Sequence, residues 1–156
     1  MSEPPAGRTI VVWVIDDARD NHDLVERSLP DGWRAAAHFH AFLAPENALA
    51  LARSALADGE DALLPDVVFM DFFLGTMHGD EATRALLELY REHDREGDRP
   101  VIVGHSSMPG ASDAIVRVGA DLAIRKPSTA GASAPIIDLF PDVESLRAVR
   151  RLRREV

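Results

Sequence analysis

Asp16 and Asp17 follow one short apolar run of the chain, Asp71 follows a second, Ser106 a third and Lys126 a fourth. If these runs are parallel strands of one sheet, all four ends lie on the same edge. Three carboxylates, a hydroxyl and an ammonium then converge on one pocket. Clustered carboxylates repel, and at neutral pH they coexist only with a cation. Hard oxygen donors with open water positions suit Mg²⁺, which takes one or two carboxylates plus phosphate oxygens of a substrate. A carboxylate can also attack phosphorus to give an aspartyl phosphate. The metal ion and a lysine would neutralise the equatorial oxygens of the transferring group, and positioning would do most of the remaining work. Taken singly, Asp16-Asp17 reads as a helix-capping pair, Asp71 as the start of a turn and Lys126 as a surface lysine. The joint pattern is what points to a site.

The elements that must position these residues can be read from pattern. Ile10-Val11-Val12-Trp13-Val14-Ile15 is continuously apolar and mostly β-branched, as expected of a strand buried on both faces of a parallel sheet, with Trp13 in the core. A helix is expected from Arg19 to Leu29, closed by Pro30-Asp31-Gly32. A second strand follows over Arg34 to Phe42. Next comes a helix from Pro45 to Ala57, with Pro at its start and Asp58-Gly59 past its end. Asp66 to Met70 is the third strand and Asp80 to about His93 a helix, followed by a polar loop from Glu92 to Arg99. Pro100 to Val103 is the fourth strand, Ser112 to Val118 a short helix stopped by Gly119, and Leu122 to Ile124 the fifth strand. After a loop of small residues, the last helix covers about residues 142–154, capped by Asp142. Residues 1–8 read as a disordered leader and residues 9–156 as one domain. The alternation predicts an α/β fold, a doubly wound five-stranded parallel sheet of (βα)5 type, with ligands outside the carboxyl ends of the strands.

Composition narrows the class. There are no cysteines, which excludes disulfides and thiolate metal sites. Neither a secretory signal nor an apolar run near the ~20 residues of a membrane helix is present, so a cytoplasmic location without membrane contact is expected. The net charge is −9, and residues 142–156 hold five arginines against Asp142, Glu144 and Glu155, leaving −11 on the rest. An acidic body argues against direct nucleic-acid binding.

The ordered set of Asp16-Asp17 after one strand, Val67-Val68-Phe69-Met70-Asp71, Gly79 eight residues on, and Lys126-Pro127 resembles the receiver domains of two-component response regulators. The resemblance covers roughly Thr9 to Arg154 and implies a flavodoxin-like receiver fold and a bacterial phosphorelay. It implies that Asp71 is phosphorylated by a sensor histidine kinase or phosphotransfer protein. Mg²⁺ would be bound by Asp17, Asp71 and the Phe73 backbone carbonyl, with Asp16 acting mostly through water. Lys126 would pair with the phosphoryl group and Ser106 would hydrogen-bond it. The role is regulatory rather than enzymatic, limited to assisting the domain's own phosphorylation and dephosphorylation. With only one helix expected after Lys126, the readout is expected through protein contacts, as a switch, relay intermediate or phosphate sink; a homodimer remains open.

The chain also departs from the family pattern. Counting from Pro100, the usual hydroxyl position falls nearer His105, and Ser107 is an alternative to Ser106. Gly75 stands where Pro is common, which implies a more mobile loop, and Ala123 replaces a common aromatic. A phosphate-independent pseudo-receiver is therefore the alternative reading. A haloacid-dehalogenase-type phosphatase is disfavoured, since Phe73 occupies the place of its second aspartate. His38 and His40 share one face of the second strand and, without a third ligand, read as half-exposed histidines.

Overall fold

The computed structural model of the chain describes residues 10–28, 37–72, 74–108 and 110–125. The elements are β1 (Ile10–Ile15), α1 (Arg19–Ser28), β2 (Ala37–Phe42), α2 (Pro45–Asp58), β3 (Val67–Met70), α3 (Gly79–Glu92), β4 (Val101–Ser106), α4 (Ala111–Arg117) and β5 (Leu122–Arg125). Short 3₁₀ turns at Asp61–Leu63 and Glu96–Asp98 precede β3 and β4. The expected leader, the Pro30-Asp31-Gly32 turn, Phe73, Lys126 and the last helix lie outside the described residues.

Every strand pairing is parallel, and the order is β2-β1-β3-β4-β5. The doubly wound five-stranded sheet is therefore present. The chain passes from β1 outward to β2, then returns beyond β1 to β3, so the winding reverses between β1 and β3. Right-handed crossovers then place α1 on one face of the sheet and the later helices on the other. The two cores follow that division. Val11, Trp13, Ile15, Val68, Met70 and Ile102 pack with Ala52 of α2 and with Leu86 and Tyr90 of α3. Val12, Val14, Val67, Phe69 and Val103 form the second core with Val25 of α1. β1, β3 and β4 are buried at every residue because both faces are covered, which explains the unbroken apolar runs of β1 and β3.

β4 corrects the expectation of a strand ending at Val103. It continues through Gly104, His105 and Ser106, which pair with Ala123, Ile124 and Arg125 of β5. All three are buried. Ladder pairing on both sides here outweighs the poor strand preference of glycine. α2 fits its pattern more closely. Ala48, Ala52 and Ala55 are buried, Pro45 opens the helix, and Gly59 at φ 70° closes it with its N–H on the Ala55 carbonyl.

Two aspartates tie the edge of the sheet at which β1, β3 and β5 begin. The Asp66 N–H donates to the Val11 carbonyl at 2.8 Å, and the Val11 N–H returns a 2.8 Å bond to Asp66 Oδ2. Asp121 repeats the device on Ile102, at 2.9 Å in both directions. Each carboxylate accepts where the partner strand would otherwise leave a buried N–H without an acceptor. Asp66→Ala is therefore expected to lower stability by about 1–3 kcal/mol in urea unfolding, and Asp66→Asn, which keeps an oxygen acceptor, by less. An unchanged midpoint for Asp66→Ala would show that the clamp contributes nothing.

Candidate functional site

The register of the sheet brings the sequence-predicted acids together. Ile15 pairs with Met70, and Met70 pairs with Gly104. The next residues are Asp16 and Asp71, just past the ends of β1 and β3, and His105 within β4. The ladder still holds there: the Asp16 N–H donates to the Phe42 carbonyl and the Asp71 N–H to the Ile15 carbonyl, each at 3.0 Å. Asp16 and Asp71 are 1% and 6% exposed, and Asp17 is exposed beside them. One carboxylate oxygen from each of the three lies within 4.8 Å of the others.

That spacing has an electrostatic cost. Like charges this close repel, most between the buried Asp16 and Asp71 and least where solvent screens the exposed Asp17. The backbone holds them together regardless. Asp16 is fixed further by local bonds, since its Oδ1 accepts from the Ala18 N–H at 3.0 Å and from Asn21 Nδ2 at 3.1 Å. The His22 ring donates from Nε2 to the Asp16 carbonyl at 2.7 Å. Asp16 thus ties down the start of α1, as a capping residue would, while its carboxylate also belongs to the acidic cluster. The donor set is all oxygen, and its spacing approaches the roughly 3–4 Å between ligands around an octahedral Mg²⁺. The residues present fit such an ion.

Of the other expected site residues, Ser106 is the buried last residue of β4, and its Oγ accepts from the Met108 N–H at 3.2 Å. Ser107 is exposed. Phe73 and Lys126 lie outside the described residues, though β5 ends at Arg125, one residue before Lys126. A second ligand-bearing cluster, His78, Asp80 and Glu81, carries no motif in the sequence. It occupies the start of α3, where the acids answer the positive end of the helix dipole and a cation would oppose it. His38 and His40 form an edge-on ring pair with centroids 4.7 Å apart. Burial, followed by the neighbouring His38, lowers the His40 pKa from its ordinary value. Among the described residues no third ligand completes a metal cluster with them.

No protein-family model matches the chain, and no curated protein sequence is significantly similar to it. Solved structures do match. The receiver domain of the histidine kinase CKI1 from Arabidopsis thaliana, complexed with Mg²⁺, is 23% identical over 94% of this chain and 90% of its own, with a TM-score of 0.61. The response regulator domain of Thermotoga maritima CheB is 21% identical over 96% of this chain and 98% of its own, with a TM-score of 0.56. A CheY-like response regulator receiver domain protein from Methanospirillum hungatei is 17% identical over 94% and 98%, with a TM-score of 0.61. The fold is that of a response-regulator receiver domain.

In this receiver fold the loop between β3 and α3 is pinned at several points. Leu74 is buried in the core, the Thr76 hydroxyl donates to the Glu46 carboxylate, and the Phe72 and His78 rings lie 4.7 Å apart. The bond from Thr76 holds the Glu46 carboxyl below its ordinary pKa. Gly75 has φ 81°, a conformation closed to proline, so the departure from the common pattern answers a backbone need. Gly79 has a different reason. A Cβ there would stand 2.0 Å from the Asp71 carbonyl oxygen and 3.0 Å from Ile115 Cδ1, while the Gly79 N–H donates to the Phe72 carbonyl at 2.7 Å. Only glycine lets α3 start against the backbone of Asp71. Gly79→Ala is expected to lower stability by about 1–3 kcal/mol in thermal or urea unfolding, because the helix start or the Asp71 backbone must shift. Wild-type stability in that variant would show that the close approach is dispensable.

Proposed function

We propose that the chain is a phosphorylation-controlled signalling switch that accepts a phosphoryl group on Asp71. The observation that carries this reading is the convergence of Asp16, Asp17 and Asp71 at the β1/β3 reversal of a receiver fold, where open α/β sheets bind ligands. Asp71 is the nucleophile: a carboxylate oxygen forms the new bond to phosphorus as the bond from phosphorus to the donor breaks, and the electron pair leaves with the donor. The donor is a histidine kinase or phosphotransfer protein. Asp17, Asp71 and the Phe73 carbonyl would hold Mg²⁺ directly, and Asp16 would act mostly through water. When bound, the ion neutralises charge on the acids and on the phosphoryl oxygens. Lys126, the residue after Arg125 in sequence, would pair with the phosphoryl group.

The phosphoryl group adds close to two negative charges beside an already acidic centre. Whichever surface arrangement accommodates that charge better becomes more populated, so the output is a shift between existing states. The role is regulatory and is read through protein contacts. No helix among the described residues is long and apolar enough to cross a membrane; a cytoplasmic, bacterial setting is part of this proposal. The exposed Ala123, in place of an aromatic, favours a readout other than a rotating ring. It also favours the second reading, a phosphate-independent interaction module.

Intact-mass measurement after incubation with Mg²⁺ and acetyl phosphate separates the two. One added phosphoryl group is expected, absent from Asp71→Asn and from samples with EDTA. No adduct with acetyl phosphate, and none with a cognate kinase, would leave the phosphate-independent module as the better account.

A further inference from the structure

We infer that the imidazole of His105 is the side chain from β4 that contacts the phosphoryl group on Asp71, ahead of the hydroxyl of Ser106. The inference rests on Asp71 being the acceptor and adds to that reading a contact it does not supply. Three observations lead to it. First, the register aligns Met70 with Gly104 on strands about 4.8 Å apart, and Asp71, just past β3, and His105 of β4 are the next residues in step. Second, side chains alternate along a strand, and partnered residues of parallel strands share a face. Phe69 and Val103 lie in one core, and the Phe69 and His105 rings meet edge-on at 6.2 Å. Asp71 and His105 continue that same row. Third, Ser106 is one residue out of phase. Its row is that of Ile102, in the core on the other face, and its Oγ already accepts from Met108.

The chemistry fits the position. A neutral imidazole carries one N–H in either tautomer, and a phosphoryl group offers only acceptors. A hydrogen bond to a charged acceptor is about twice as strong as one between neutral partners. The ring also extends its donor further from the backbone than a serine hydroxyl would. At 2% exposure, His105 would make this contact away from competing water.

Fluoroberyllate with Mg²⁺, a phosphoryl mimic, provides the test. Wild type is expected to bind it and Asp71→Asn not to; failure of wild type counts against the acceptor reading itself, before His105 is considered. Given wild-type binding, calorimetry should show about tenfold weaker affinity for His105→Ala, a smaller loss for Ser106→Ala, and partial recovery in His105→Gln, which restores a side-chain N–H. Far-ultraviolet circular dichroism checks that each variant is folded. Should His105→Ala not fold, ¹⁵N spectra of the wild-type histidine rings decide. A ring N–H resonance of His105 that moves on saturation with fluoroberyllate supports the contact, and an unmoved one overturns it. A tenfold loss confined to Ser106→Ala, with His105→Ala binding as wild type, would also overturn it.

Discussion

Mutual repulsion of three carboxylates, held together by backbone register, is the constraint around which this molecule is arranged. Asp16 and Asp71 are adjacent because β1 and β3 are adjacent and in step, and Asp17 follows Asp16. The surrounding structure opposes their separation. The ladder bonds of Asp16 and Asp71 persist beyond the last paired strand residues, and Asp16 is bonded into the start of α1. At the far edge of the sheet, the Asp66 and Asp121 clamps fix where β1, β3, β4 and β5 begin, and hence where their other ends fall. A centre of this kind suits a cation, since clustered carboxylates coexist most readily around one.

The helices serve the same centre. α3 begins against the Asp71 carbonyl because Gly79 has no side chain, which brings the positive end of its dipole close to the acids. The β3–α3 loop between them is held by Leu74 in the core and by Thr76 on Glu46 of α2. A change of charge at Asp71 is therefore mechanically close to α2 and α3 through defined contacts, and such a loop is where a shift between two arrangements can begin.

Much of this was legible in the chain. The unbroken apolar runs of β1 and β3 are what two-sided burial produces, and the acids at their ends mark the carboxyl edge. The alternation of elements was enough for the doubly wound sheet. What stayed hidden depends on pairing across the sheet. Gly104, His105 and Ser106 have no strand signature of their own, and only the ladder to β5 carries β4 through them. Their period then separates His105 from Ser106, which a count from Pro100 hinted at and composition could not decide. The clash that requires Gly79, and the clamping roles of Asp66 and Asp121, are likewise contacts between segments distant in sequence. The His78, Asp80 and Glu81 group illustrates the converse: it offers three ligands within reach of one another, yet a helix N-terminus explains its acids without any ion.

The most direct measurement of the central claim is a Mg²⁺ titration followed by ¹H–¹⁵N correlation spectra of the wild-type chain. Saturable shifts are expected at Asp16, Asp17, Asp71 and their neighbours Ala18 and Phe72, and these should vanish in Asp71→Asn. The absence of saturable shifts at millimolar Mg²⁺, or shifts centred on His78, Asp80 and Glu81 instead, would contradict the assignment of the acidic row as the metal-binding centre.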